Sequence, residues 1–438
     1  MTVFLDNPWL AIVIPLAMIA LLALIARPKI WIAVFLISMP VFLTDSGKGL
    51  SAVEIVMGGF FTASVLVWIV SRMAVGGPAL IRNWFDVLIL TFFIVCSLNV
   101  GVALANGITL MDWLSEYVLF TLILYYFPLR EYFSRDDQAF EQFLLWFAIT
   151  TVALSLYSIY NYKQRMAAGL VYAWQFTASR SVLLGPIFLL AIVLCISRIF
   201  HLKSKWRWGV VLIASINAAA LFLTFTRTLW VLFFPCVFIV MVFLTRRQNV
   251  RLVAGMVLLT LVVLGSTYAF SPRFTEIALK VVTKRFMSST QLSGGDHSFD
   301  SRVFEAKYAW QKIKQFPLGG SGLRARFVSK IPISVYTNNA SFIHFGYVGL
   351  VYKLGFPLAM LFFFILGLQF WMSIRNVWSL RHKDANPVLR SAAIAIMAYF
   401  PALFFVIFVT GFFDQRYGNV MFGFIFACTG IIYDRLNR

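Results

Sequence analysis

One histidine and a run of arginines stand out in a chain that is otherwise soluble in lipid. The segment Ser301 to Leu358 carries Arg302, Lys307, Lys312, Lys314, Arg324, Arg326 and Lys330, then reaches His344 at the start of an apolar run. A guanidinium fork grips phosphate oxygens through two parallel hydrogen bonds and stays charged at any physiological pH. Imidazole, with a reference pKa of about 6.5, exchanges protons in the same range. Together these groups suit a reaction in which a diphosphate departs and a hydroxyl is activated. The other histidines are placed less well, since His201 and His382 fall on the opposite side of the membrane and His297 lies in a polar, glycine-rich stretch.

Further basic residues fall near the same face. Arg227 sits at a tight turn between two apolar runs, Arg180 opens a helix after the aromatic stretch Tyr172 to Phe176, and Arg416 follows Asp414. Glu305, three residues after Arg302 on one predicted helix, is the expected ion-pair partner that holds it. The turn Gly319-Gly320-Ser321-Gly322 lacks the lysine and the preceding strand of a P-loop. It is either a plain turn or one whose backbone N–H groups approach an anion beside Arg324 and Arg326. From 271 to 340 the chain has eleven basic residues against four acidic ones, a net charge of about +7. Scattered lysines of this kind also attract anionic headgroups, at about 1 kcal/mol each. Trp174, Tyr336 and Tyr347 have the rings to stack on sugars, but aromatic residues are common at membrane interfaces in any case.

The elements that must position these groups are membrane helices. The chain has 438 residues, 61% hydrophobic and 12% charged, with a mean hydropathy of +0.86. Apolar runs long enough to cross about 30 Å of hydrocarbon recur throughout, without the alternation of barrel strands. The expected fold is all-α, a polytopic membrane protein with about twelve or thirteen helices. They are predicted at 9–26, 30–43, 52–71, 84–104, 113–129, 140–161, 180–199, 207–223, 228–245, 251–270, 341–372, 390–411 and 418–434. The first run has no basic region before it and no small-residue cleavage site after it, so it is expected to remain as a helix. The organisation is then 1–270 membrane helices, 271–340 a large outer loop, and 341–438 further membrane helices, in one integrated membrane domain. Within the loop, amphipathic helices are expected from Ser271-Pro272 and from near Ser301. The second has Val303, Ala306, Trp310, Ile313 and Pro317 as its apolar stripe. The four cysteines all lie in apolar runs and are expected to be packing residues.

The net charge of +20 distributes by loop. Arg27, Arg72, Arg130, Arg198, Arg246, Arg381 and Arg435 fall in one alternating set of connections, and the other set of short loops is sparse in basic residues. By the positive-inside rule the first set and the C-terminus are cytoplasmic, and the long loop faces the periplasm. The basic charge is thereby explained without nucleic acid. The cytoplasmic loops are short and hold no D-x-D pair for a nucleotide-sugar; Asp136–Asp137 reads as a solvated helix start. A donor used on the outer face has to arrive already activated, on a lipid.

Thr224-Phe225-Thr226-Arg227 is similar to the T-x-[ST]-R motif of the O-antigen ligase and O-antigen/exopolysaccharide polymerase family of integral membrane glycosyltransferases. Arg302 to Gly322 (R-x-x-E-x-x-x-x-W-x-x-I-x-x-x-P-L-G-x-S-G), then His344 and Gly355, also resemble that family, with Phe345 where a polar residue is usual and Leu358 where a small or aromatic one is. The resemblance implies a glycan donor on undecaprenyl diphosphate and no cofactor or metal. The acceptor it implies is lipid A-core or a second lipid-linked glycan, at the outer face of the bacterial inner membrane. His344 is then the general base or the group orienting the acceptor hydroxyl, with Arg227, Arg302, Arg180, Arg324 and Arg326 as diphosphate ligands, Glu305 supporting, and Arg416 supporting or structurally paired with Asp414. For Arg227, anchoring its turn at the headgroups is the plainer alternative. Direct attack inverts the anomeric centre, since no outward carboxylate pair is placed for double displacement. Ligase and polymerase share this chemistry and differ in acceptor. A polysaccharide or lipid transporter is the competing class; it needs buried charges near the midplane and related halves. The charges within the predicted spans (Glu54, Glu116 and Lys353) are few, and no internal repeat is visible. A scaffold that recruits partners through the loop predicts no loss of glycan when His344 is changed.

Overall fold

The computed structural model describes residues 23–43, 52–74, 80–167, 184–202, 204–270, 297–330, 337–340, 343–381, 386–411, 413 and 416–437, with residues 19, 276, 279, 280 and 283 singly. The elements in order are α1 (Pro28–Leu43), α2 (Ala52–Ala74), α3 (Trp84–Ala105) and α4 (Leu110–Thr121), then a 3-10 turn (Leu122–Tyr125) leading to α5 (Tyr126–Phe133). Next come α6 (Asp137–Ala167), α7 (Gly185–Ile199), α8 (Ser204–Leu223), α9 (Arg227–Val242) and α10 (Arg246–Phe270). The segment between α10 and α12 holds α11 (His297–Ile313) and an antiparallel ribbon of β1 (Phe327–Lys330) and β2 (Thr337–Ala340). The last three helices are α12 (Gly346–Arg381), α13 (Pro387–Val409) and α14 (Arg416–Leu436).

The protein is an all-α polytopic membrane protein. Eight described helical segments are long and apolar enough to span a bilayer by length and composition, with α7 and α9 as shorter apolar helices. Every predicted span from 30 onward coincides with a described helix; most of 9–26 and the helix expected from Ser271 lie outside the described residues. The predicted span at 113–129 is broken, because the 3-10 turn separates α4 from α5. Helix starts follow local chemistry. Asn83 caps α3 in a reciprocal box with Asp86, Asn386 caps α13 ahead of Pro387, and Asp136 accepts from the Ala139 N–H to open α6.

Exposed apolar side chains such as Ile94, Leu98, Phe234, Phe238 and Phe364 face outward where lipid chains belong. The two ends of the bundle differ in chemistry. At one end Arg130 is buried against Asp86 and Asp434, and Arg82 also reaches Asp434 at 2.7 Å. The other end of α3 meets the segment between α10 and α12, where Asn106 donates to the Ser321 carbonyl at 3.1 Å. Helix α14 runs from Arg416 at this second end to Asp434 at the first, so Arg416 and the segment between α10 and α12 share an end.

Candidate functional site

Helix α12 is broken. Gly355 has φ 76° and ψ 168°, a conformation essentially confined to glycine, which divides the helix into 346–354 and 356–381. The break is filled from outside. Ser321 N–H donates to the Tyr352 carbonyl at 2.8 Å, Gly322 N–H to Lys353 at 3.0 Å, and Phe356 N–H to Pro317 at 2.8 Å. A Cβ on Gly355 would lie 2.1 Å from the Leu318 carbonyl oxygen, and one on Gly320 would lie 2.4 Å from Gly355 N. The glycine-rich turn is therefore a lock on α12. Its N–H groups at 320, 321 and 322 go to protein carbonyls rather than outward to an anion. Gly355→Ala is expected to cost at least about 1–3 kcal/mol, the usual size of such backbone strain, before the clash is added. Thermal unfolding in detergent measures it against Gly367→Ala on the same helix, where a Cβ meets nothing within 4 Å. Equal melting of the two variants removes the lock.

Just before the first half of α12, His344 Nδ1 lies 2.8 Å from Glu305 Oε2 on α11. The His344 N–H reaches the same oxygen at 3.4 Å. The expected Arg302–Glu305 ion pair does not form. Glu305 turns into the protein toward His344, and Arg302 instead donates to the Val409 carbonyl at the end of α13, at 3.2 Å. The buried line of α11 is correspondingly Glu305, Ala309 and Ile313, while Trp310, predicted on the apolar stripe, is 45% exposed. The helix is rotated to bring a carboxylate inward. Packing fixes His344 from the α13 side too, since Phe345 meets Phe408 at 5.2 Å between ring centres and the Tyr347 hydroxyl donates to Phe404 O at 3.0 Å.

The imidazole is 38% exposed in its side chain and the carboxylate 11%, so the pair is open on the histidine side. In the neutral tautomer whose Nδ1–H donates to this carboxylate, the ring lone pair lies on Nε2. A carboxylate that fixes tautomer and ring direction in this way is the support a general base needs.

Arg227 opens α9 after the turn Thr224-Phe225-Thr226. Phe225 takes φ 48°, uncommon for a bulky residue, and is held by burial beside Tyr162, Phe222 and Trp230. Thr224 Oγ1 donates to Leu221 O at 2.7 Å and accepts from the Thr226 N–H at 3.2 Å, closing the turn. Helix α9 packs along α13, and its last residue Val242 with the following Phe243 to Thr245 shares a cavity with Arg390 and Ile394 at the start of α13. The two helices are thus antiparallel, and Arg227 lies at the Val409 end with Arg302 and His344. Arg416, opening α14, is at this end as well. Arg180 lies outside the described residues.

Arg324 and Arg326 are held by a different helix. Arg324 adopts φ 64°, and its N–H donates to Glu116 Oε2 on α4. Arg326 approaches Asp112 at 3.9 Å. Glu116 also binds Lys353 of α12 at 2.5 Å, both side chains 3% exposed. Asn99 adds to this joint, accepting from the Leu323 N–H at 2.9 Å and donating to the Lys353 carbonyl at 3.3 Å. In the sequence Glu116 and Lys353 are visible as charges within apolar runs, but their 237-residue separation hides the pairing. Among the described residues no His, Cys, Asp and Glu side chains gather in the threes or more that would hold a metal ion.

Residues 209–363 match a family model described as O-antigen ligase. The comparison with curated proteins finds no match. The matched segment contains the Thr224–Arg227 turn, Arg302, Glu305, the lock on α12 and His344. Through this segment the chain is similar to the O-antigen ligase family.

Proposed function

We propose that the protein is an inverting, metal-independent glycosyltransferase of the O-antigen ligase type. It moves a glycan from undecaprenyl diphosphate to an acceptor hydroxyl, here lipid A-core, at the outer face of the cytoplasmic membrane. The observation that carries this reading is the 2.8 Å His344–Glu305 hydrogen bond at the end of the bundle where Arg227, Arg302 and Arg416 also stand. The acceptor oxygen attacks the anomeric carbon while its proton passes to His344 Nε2. The bond from that carbon to the phosphate oxygen breaks, and the lipid diphosphate leaves with the electron pair. Arg227 and Arg302, with Arg180, stabilise the charge that develops on it; Arg324 and Arg326 serve the same anion from the flank tied to α4. Arginine suits this task because diphosphate is already a good leaving group and needs charge stabilisation more than protonation.

The test uses the purified protein in lipid with undecaprenyl-diphosphate-linked repeat units, with and without lipid A-core. Product is expected only when core is supplied, with inverted anomeric configuration and no effect of EDTA. A ladder of longer lipid-linked chains from donor alone makes it a polymerase. No turnover of authentic donor with either acceptor rejects transfer in favour of transport, and a covalent glycosyl-enzyme rejects the single step.

A further inference from the structure

At the end of the bundle opposite His344, a cavity of about 400 Å³ opens between the C-terminal residues of α9, the last turns of α12 and the start of α13. Val242, Phe243, Val377 and Ile394 supply apolar wall, and Arg381 and Arg390 supply charge. Val242 and Trp378 are 65% and 58% exposed, so the cavity communicates with the surroundings of the bundle. Arg381 lies over the Trp378 ring at 5.6 Å, and both side chains line the cavity. Arg390 stands in the first turn of α13, where the helix end adds to its positive charge instead of offsetting it.

This end is rich in charge pairs, and among the described residues none of them includes Arg381 or Arg390. Arg130, Arg82, Arg72, Arg198 and Arg435 all meet carboxylates. Among the described residues no carboxylate lies within ion-pair distance of Arg381 or Arg390. Burial first, then the Arg390 and Arg198 guanidiniums, push the pKa of nearby His201 below its ordinary value. Among the described residues the local field is positive.

The geometry points to a binding site for an anionic glycerophospholipid, its phosphate between Arg381 and Arg390 and its acyl chains along Val242, Phe243 and Val377. Basic pockets between membrane helices take anionic headgroups by this combination of a charged mouth and an apolar wall. The site is separate from the proposed transfer chemistry.

Native mass spectrometry of the full-length protein, with phosphatidylglycerol or phosphatidylcholine added to the micelles, tests it. Retention of phosphatidylglycerol is expected to exceed that of phosphatidylcholine by about thirtyfold, as two arginines near a headgroup imply. The double variant R381Q/R390Q is expected to lose that preference, and R381K/R390K to keep most of it. Val242→Trp, which leaves the charge alone and fills the apolar wall, is expected to weaken retention of phosphatidylglycerol. Equal retention of both lipids, or a preference that survives in R381Q/R390Q or is untouched by Val242→Trp, overturns the proposal. Displacement of the lipid by millimolar inorganic phosphate also overturns it, by reducing the site to one for the free anion.

Discussion

His344→Ala is expected to lower turnover of the lipid-linked donor by about two to four orders of magnitude, the usual contribution of a positioned general base. Glu305→Gln is also expected to lower turnover, by up to about four orders of magnitude, as when a working imidazole loses the carboxylate that sets its tautomer. Both losses belong to kcat. Glu305 is 8% exposed and its carboxylate is engaged by His344, so it is not in position to bind donor, and KM for donor should stay near its original value. A residue that merely stiffened α11 would shift stability and KM together. The assay is steady-state transfer to lipid A-core, with melting in detergent measured alongside. Full activity in His344→Ala removes the base, and an unchanged kcat in Glu305→Gln removes the pair.

Why the pair escapes a reading of the sequence is instructive about what spacing conveys. Arg302 and Glu305 are three residues apart on one amphipathic helix, which makes them neighbours by helix geometry alone. The true partner of Glu305 lies 39 residues further on, beyond the glycine turn and the β1–β2 ribbon, and no local rule joins them. Helices are the legible part. Long apolar runs have few alternatives in a bilayer, so α1 to α3, α6 to α10 and α12 to α14 fall where hydropathy places them, while the single span predicted at 113–129 is broken into α4 and α5, and Asp136 caps α6 as expected. Hydropathy says nothing of backbone breaks inside such a run. Gly355 is one glycine in a long apolar stretch, and its role depends on a carbonyl, that of Leu318, supplied from outside the helix. The same holds for Gly319 to Gly322, whose composition fits an anion cradle and a structural lock equally well; only the destination of each N–H separates the two. Arg227 and Arg302 are legible from residue type and motif, and what the structure adds is that α9 and α11 bring them to one end of the bundle with His344.

Lys353→Met is expected to destabilise the protein by about 3–5 kcal/mol, because it leaves Glu116 as a buried charge without its partner. Glu116→Gln alone is expected to cost a similar amount by stranding Lys353. The combination Glu116→Gln with Lys353→Met should recover most of the loss. Removing both charges of a buried pair also removes their desolvation cost, and the amide oxygen introduced by Glu116→Gln still accepts from the Arg324 N–H that the carboxylate now holds. This joint links α4, the turn that carries Arg324, and the first half of α12, so strain there reaches the segment that presents His344. The single variants should therefore lose activity beyond their loss of folded protein, while the double variant regains both stability and turnover. Thermal unfolding in detergent and transfer rates normalised to folded protein follow the two effects separately. Melting shifts that simply add, with no recovery in the double variant, mean that the two side chains are stabilised independently. The break in α12 then rests on the glycine contacts alone.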